Sequence, residues 1–243
     1  MEQQQRKTVQ RVRHELRMRE VIVAAIAQAG EHFASITFQG ESLADFVSLS
    51  FDDHVKFMFD DGAGNGVRRD YTPRRYNAQT RELVIEFALH GDGAASNWAR
   101  NAQPGDQAVI GGPRGSMIVP PDFDWHLLAG DSTALPAMRR RLEELPAGVS
   151  VTVVAWAEAG DRLPFTSAAE LDVHWVDSED ALIEQVRAFT LPGGEGFAWG
   201  AGEASAMRRL RAVLVEEKGI AREGMRVSAY WKHGVADHHE KMD

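Results

Sequence analysis

Up to about residue 120 the apolar positions come in short runs rich in β-branched and aromatic residues, each broken by turn formers. Residues 21–27, 33–38, 54–59, 83–89 and 107–110 read as strands, with Asp60-Asp61-Gly62 and Pro104-Gly105-Asp106 as turns. Short strands at this spacing predict an antiparallel β-barrel, interrupted by one short helix near residues 96–101. After Pro120-Pro121 the pattern alternates. Strands at 125–129, 149–156, 173–176, 197–199 and 227–231 are separated by helices at 133–145, 178–188 and 203–218. The run at 149–156 has the unbroken apolar character of a strand buried on both faces. Alternation of this kind predicts a parallel α/β sheet. The expected organisation is two domains: an N-terminal antiparallel β-barrel over residues 1–120 and a C-terminal α/β parallel-sheet domain over residues 121–243. No internal repeat or low-complexity stretch is present.

Composition narrows the chemistry. The chain of 243 residues has no cysteine, which excludes disulfides, thiolate zinc sites, cysteine-ligated iron–sulfur clusters and thiol catalysis. No apolar run approaches twenty residues, so no membrane insertion is expected. The first twenty residues lack the apolar core of a secretory signal, and a cytoplasmic location follows as the default. A net charge of −9 argues against nucleic-acid binding, which depends on neutralising phosphates. Two basic clusters run against that sign: Arg6, Lys7, Arg11, Arg13, Arg17 and Arg19, then Arg68, Arg69, Arg74, Arg75 and Arg81. Clusters of this kind also read as solvated faces.

The segment Arg69-Asp70-Tyr71-Thr72-Pro73-Arg74 concentrates an aromatic ring, a small hydroxyl and two guanidiniums. On an extended strand Arg69 and Tyr71 point one way, Thr72 and Arg74 the other. The layout suits a planar ring cofactor bearing a pyrophosphate, with Tyr stacking, Thr bonding the ring edge and Arg holding phosphate. It equally fits a barrel strand with solvated arginines and one core tyrosine. Downstream, Phe87-Ala88-Leu89-His90-Gly91 ends a strand and Gly93-Ala94-Ala95-Ser96 leads into the short helix. Ser96 reads as its N-cap, and the helix start as a phosphate seat. Gly111-Gly112-Pro113-Arg114-Gly115 is a glycine-rich turn at a strand end, where backbone can approach a ligand closely.

In this order the segments resemble the FAD-binding barrel of the ferredoxin-reductase-like flavoproteins. More narrowly, the chain resembles the siderophore-interacting protein family of flavin-dependent ferric-siderophore reductases. The resemblance runs through Gln10-Arg11-Val12-Arg13, Asp52-Asp53-His54-Val55-Lys56, the Arg69–Arg74 strand, the residues from His90 to Ala99, and Gly112-Pro113-Arg114-Gly115. It continues through Ala129-Gly130-Asp131, Thr133-Ala134-Leu135-Pro136-Ala137, Trp199-Gly200-Ala201-Gly202-Glu203 and Tyr230-Trp231-Lys232. It implies that Arg69, Tyr71, Thr72 and Arg74 contact FAD, and that Ala88, Leu89, His90, Ala95 and Ser96 line its ribityl and pyrophosphate. Asp131 and Thr133 would face the nucleotides. Trp199, Gly200, Ala201, Gly202 and Glu203, taken as a turn beyond a strand's carboxyl end, would receive the nicotinamide of NADPH or NADH.

The activity implied is NAD(P)H-dependent reduction of a ferric-siderophore complex in the cytoplasm, with release of Fe(II). The flavin performs the electron transfer, so no catalytic side chain is required. The anionic substrate needs local positive charge, for which Lys56, Arg114 and Lys232 are the candidates; Arg114 is equally open to an FAD phosphate. Family members often carry Arg where Lys232 stands, so the charge is kept and the bidentate fork is lost. A ferredoxin is the alternative electron donor, and Arg162, Arg208 or neither selects NADPH. No resident metal is expected, because the His233, His238 and His239 tail lacks ligand spacing. A monomer is the expected state. Two other readings stay open: a general flavin or ferric reductase or electron-transfer component, and a non-catalytic ferric-chelate binding protein. The last predicts no bound flavin.

Overall fold

A computed structural model describes residues 7–62, 64–89, 91, 93–235 and 240–242. The chain forms two compact units. One comprises residues 11–117 and 158–164; the other comprises residues 7–10, 118–157 and 165–242.

The first unit contains β1 (Gln10–Arg13), β2 (Met18–Gln28), β3 (Phe33–Gln39), β4 (Val55–Asp60), β5 (Gly66–Tyr71), β6 (Arg75–Asn77), β7 (Glu82–Ala88), α1 (Ala94–Asn101), β8 (Gln107–Gly111) and β9 (Gly115–Ile118). The predicted barrel is a curled antiparallel sheet, a half-barrel of strand order β5-β4-β8-β2-β3-β7-β6, with β1 and β9 paired separately. Alternation along each strand sends Val21, Val23, Ile36, Phe38, Val55, Phe57, Leu83, Ile85 and Phe87 inward, where they form one buried cluster. Each fully buried side chain of this size contributes roughly 1.5–3 kcal/mol. Trp98 of α1 enters the same cluster, its ring centroid 4.8 Å from that of Phe57 and 5.9 Å from that of Phe87. The helix is thereby anchored to the inner face of the sheet.

Residues 158–164 pack with this unit through Asp161, which is fully buried and accepts from His32 N at 2.8 Å, with His32 Nδ1 3.0 Å from its other oxygen. Gly30, at φ +121°, meets Asp161 so closely that a Cβ there would lie 2.6 Å from Oδ1. Only glycine suits both the backbone and the space.

The second unit continues with β10 (Trp125–Asp131), α2 (Leu135–Glu144), β11 (Ser150–Trp156), β12 (Glu170–Val176), α3 (Glu179–Ala188), β13 (Gly196–Glu203), α4 (Ala204–Ala212), β14 (Met225–Trp231) and β15 (Glu240–Lys241). Five parallel strands in the order β12-β11-β10-β13-β14 carry antiparallel β15 at the edge. Trp125, Leu127, Ala129, Val154 and Ala198 pack with Leu182, Ile183, Met207 and Leu210 of α3 and α4. On the other face Gly130 is packed so closely that a Cβ would clash with Ala201 O of β13, lie 2.8 Å from Ala134 Cβ in the turn before α2 and 3.2 Å from Met138 Cε of α2. The helix expected over 203–218 is α4 followed by a π-turn, Val213–Glu217, closed by Lys218 N donating to Val213 O at 3.0 Å.

His126 of β10 is 1% exposed, and burial, with the charge of Arg141 adding to it, pushes its pKa from an ordinary 6.5 down to about 4. The folded unit therefore refuses a proton that the unfolded chain accepts. Stability should be full above pH 6.5 and fall by roughly 3 kcal/mol as pH drops from about 6.5 to about 4. Urea unfolding across that window, beside His126→Leu, checks this: the variant should lose that part of the pH dependence.

Candidate functional site

The site begins on β5. Arg69 stands opposite Phe57 and Tyr71 opposite Val55 in the β4–β5 register, and both partners face inward, so Arg69 and Tyr71 share the inner face as the period-two argument requires. The Tyr71 ring lies 4.4 Å from that of Phe87 and perpendicular to that of Phe57 at 6.0 Å. Burial raises its phenol well above the ordinary range, against the smaller opposing pull of Arg69. The residue thus offers an un-ionised ring and hydroxyl. Arg69 is half-buried and donates to Arg68 O at 2.8 Å; among the described residues it has no carboxylate partner.

Thr72 and Arg74 are buried, at 8% and 7% exposure. Arg74 Nε is 3.2 Å from Glu86 Oε1, an ion pair closed off from solvent, and Arg74 N donates to Val84 O at 2.9 Å. The two arginines of the motif are therefore unlike: one guanidinium is available and the other is held by a buried carboxylate.

Helix α1 packs on β3, β5 and β7, so the aromatic cluster that holds Tyr71 also places the helix start. Its N-cap is Gly93 rather than Ser96. Ser96 is the third residue of the helix and donates from Oγ to Ala88 O at 3.0 Å. The expected capping role fails because the hydroxyl is spent on the preceding strand end. Arg100 Nη2 donates to Leu89 O at 2.7 Å and Gly91 O at 2.9 Å, fixing the loop between β7 and α1. Ala95 is buried, and His90 lies outside the described residues. First-turn amides of α1 have no helical acceptor, and a Cβ on Gly91 would meet nothing within 4 Å. A guanidinium with no carboxylate partner among the described residues, a helix start and a wedged aromatic ring together fit a planar cofactor with a pyrophosphate.

Lys56 lies elsewhere. It stands opposite Asp70 on β5 and opposite Gly111 on β8, on the outer face of the sheet, with Nζ 2.9 Å from Asp70 Oδ2. Arg114 is exposed on the turn after β8, and its carbonyl accepts from His14 N at 3.0 Å. That turn is tied down by a network the sequence reading missed. Buried Asp53 accepts from Ser116 Oγ at 2.7 Å, Ser48 Oγ at 2.8 Å and Ser50 N at 3.2 Å, and His14 Nε2 is 2.8 Å from Ser116 Oγ. Asp53 and Lys56 are three residues apart, so the motif carrying one cation is bonded to the turn carrying the other.

In the second unit the carboxyl ends of β10 and β13 meet. Asp131 is 4% exposed and accepts from Thr133 N at 2.9 Å, Thr133 Oγ1 at 2.5 Å, Glu203 N at 2.8 Å and Trp231 Nε1 at 2.8 Å. Burial raises its pKa, with these hydrogen bonds opposing. Glu203 caps α4 by accepting from Ser205 N and from Ala206 N at 3.2 Å. Burial alone would raise the Glu203 carboxyl, but the hydrogen bonds, led by Ser205, bring it below the ordinary value. Gly202 is shaped to this junction, since a Cβ would lie 2.6 Å from Asp131 Oδ2.

The turn expected at Trp199–Glu203 is strand throughout, the end of β13. Trp199 and Ala201 are fully buried, and a Cβ on Gly200 would clash with Leu210. These residues build the core, and only Gly202 and Glu203 reach the strand end. Trp231, absent from the expected contacts, fixes the Asp131 end of the sheet. Lys232 follows it, exposed and bridged to Val235. Arg208 is exposed and 3.5 Å from Glu240 Oε2, while Arg162 belongs to the 158–164 segment of the first unit.

Comparison with known proteins agrees with this geometry. Residues 60–117 match the siderophore-interacting FAD-binding domain, and residues 123–234 match the siderophore-interacting protein model. The NADPH-dependent ferric-chelate reductase of Escherichia coli K12 is 35% identical over 246 residues, covering 91% of this chain and 96% of its own. Ferric vibriobactin reductase ViuB of Vibrio cholerae is 29% identical over 226 residues, covering 82% and 83%. A siderophore utilization protein from T. fusca superposes with a TM-score of 0.88 at 31% identity, covering 96% and 98%. With this likeness along both units, the chain belongs to the siderophore-interacting protein family and carries its FAD-binding domain.

Proposed function

We propose that this protein is an FAD-dependent, NAD(P)H-driven reductase of ferric-siderophore complexes that releases iron as Fe(II) in the cytoplasm. The observation that carries the reading is the inner-face pairing of Arg69 and Tyr71 beside the start of α1, in a chain with a matched FAD-binding domain. The ferric-chelate reductase named among the relatives supports the substrate class and NADPH as donor. Residues 1–120 are assigned to FAD and residues 121–243 to the nicotinamide nucleotide, with the Asp131–Gly202–Glu203 strand ends facing it.

FAD, held by Arg69, Tyr71 and the start of α1, would supply the redox chemistry, accepting two electrons as hydride from NAD(P)H and passing them on singly, so that one NAD(P)H would serve two ferric chelates. The side chains bind and orient. Arg69 and the α1 amides hold phosphate, Tyr71 supplies the ring contact, and Lys56, Arg114 and Lys232 supply positive charge for an anionic chelate. The protein acts as a monomer, and a ferredoxin is the alternative donor. No described helix is long and apolar enough to cross a membrane.

The test is anaerobic reduction with NADPH or NADH, followed by ferric chelates in the presence of a ferrous trap. Flavin bleaching and ferrous product are expected; no ferrous product from any chelate would remove the reading. Purified protein without flavin absorbance would favour a chelate-binding role instead. Replacing Lys56, Arg114 and Lys232 together by alanine should raise KM for an anionic ferric chelate about tenfold or more, at roughly 0.5–1 kcal/mol per solvent-facing charge. FAD content should be unaffected.

A further inference from the structure

We infer that Asp131 and Glu203 are positioning residues for Lys232. Through Trp231 and His233 they hold the turn that offers this lysine to an anionic ferric chelate. The inference rests on the ferric-chelate reading above and adds the residues that make one of its cations effective.

The turn has little else to hold it. It follows β14, is closed by Val235 N donating to Lys232 O at 3.1 Å, and includes Gly234 at φ +73°. Residues 232–235 are all exposed, and Val235, the one large apolar side chain among them, is 48% exposed. Among the described residues the Lys232 ammonium has no ion-pair partner. A lysine on a loose turn offers a chelate little, because binding must first order its backbone and its flexible stem.

Polar anchors stand on both sides of Lys232. Trp231 Nε1 donates to Asp131 Oδ2 at 2.8 Å, and His233 N donates to Glu203 Oε1 more loosely, at 3.3 Å. The other oxygen of each carboxylate serves its own helix start. Asp131 Oδ1 accepts from Thr133 N at 2.9 Å, and Glu203 Oε2 accepts from Ala206 N at 3.2 Å. Asp131 Oδ2 also accepts from Glu203 N at 2.8 Å, which ties the two anchors together. All of these residues belong to the second unit.

The choice of carboxylates follows from the two tasks. Asp131 and Glu203 are 4% and 6% exposed, and burying two carboxylates side by side is costly. A serine or threonine would cap either helix start, but a single short hydroxyl spent there would not also reach β14. A carboxylate has two oxygens, one for each task. The backbone is shaped to the same end. The β13–β14 register shifts between Gly202 and Glu203, so that Glu203 stands opposite Trp231. A Cβ on Gly202 would lie 2.6 Å from the Asp131 oxygen that takes the indole. Each of the four oxygens accepts from a protein donor, so these side chains act on a ligand through the turn they hold.

The test is a double-mutant cycle on the full FAD-loaded protein, with Trp231→Phe and Lys232→Ala made alone and together. Phenylalanine keeps an aromatic ring and loses the donor. With a ferric tris-catecholate as the anionic chelate, Lys232→Ala should raise KM about three- to fivefold, the worth of one solvent-facing charge. Trp231→Phe should raise it by nearly as much, and the double variant by no more than Lys232→Ala alone. KM for NADPH should not change in any of the three. A merely structural role for Trp231 would give effects that multiply in the double variant, or a parallel rise in KM for NADPH. Either result, or no effect of Trp231→Phe, overturns the inference. Amide exchange on the wild-type protein is an independent measurement. The His233 and Val235 amides should exchange at least about tenfold more slowly than in an unstructured peptide, and unprotected amides would sink the inference. If wild type reduces no ferric chelate, the reductase reading fails, and the same cycle is read from affinity for gallium tris-catecholate, which is not reduced, by fluorescence quenching. Coupled losses there support the positioning role; independent losses, or none, overturn it.

Discussion

Trp199→Ala should destabilise the α/β unit by about 3–5 kcal/mol, the cost of an aromatic-sized cavity in a closed core, and leave nucleotide affinity nearly unchanged. Trp199 is 0% exposed in β13, with Leu128 beside it on β10 and Arg226 beside it on β14. Its ring meets Tyr230 edge-on at 6.3 Å. Nothing as large as a nicotinamide can reach that ring without opening the sheet. For a chain of this size each kcal/mol shifts Tm by roughly 2–4 °C, so a fall of about 10 °C is expected by calorimetry. The decisive comparison is KM for NADPH at a temperature where the variant remains folded. A selective rise in KM with Tm unchanged would return Trp199 to the nucleotide site.

The strand found where a turn was expected at Trp199 shows what sequence can carry. Two glycines in Trp199-Gly200-Ala201-Gly202 suggested a turn, but they are there because neighbours press close: Leu210 against Gly200 and Asp131 against Gly202. Glycine within a strand marks close approach as often as a bend, and which one applies depends on a helix or strand distant in sequence. Strands with strong alternation, such as β3 and β4, were legible because their period is local. The short polar strands β1, β6 and β9 were not, since they exist only by pairing. The same division runs through the site. That Arg69 and Tyr71 share a face follows from strand parity, which a single segment contains. That Lys56 meets Asp70, that Ser116 meets Asp53 and that Trp231 meets Asp131 depends on register or on contacts 14, 63 and 100 residues apart.

Arg69→Ala and Arg74→Ala should fail in different ways, although the two residues occupy one motif. Arg69 has no carboxylate partner among the described residues and lies on the inner face with Tyr71. Its loss removes charge-assisted hydrogen bonds to phosphate, each worth roughly 1.5–3 kcal/mol, so FAD should bind about ten- to a hundredfold more weakly. Urea unfolding of the FAD-free protein should hardly change. Arg74 faces Glu86 with both side chains under 10% exposed. Removing that guanidinium strands a carboxylate in a low-dielectric setting, which costs about 3–5 kcal/mol whether or not FAD is present. Arg74→Leu combined with Glu86→Leu should regain most of that stability, because replacing both partners leaves no buried charge. FAD titration by fluorescence quenching and urea unfolding of the FAD-free protein, run on the same four proteins, separate the outcomes. If Arg74→Ala weakened FAD while the FAD-free protein kept its stability, the guanidinium would be a phosphate ligand that Glu86 only orients. If Arg69→Ala kept FAD at wild-type affinity, the helix start would hold the pyrophosphate without it.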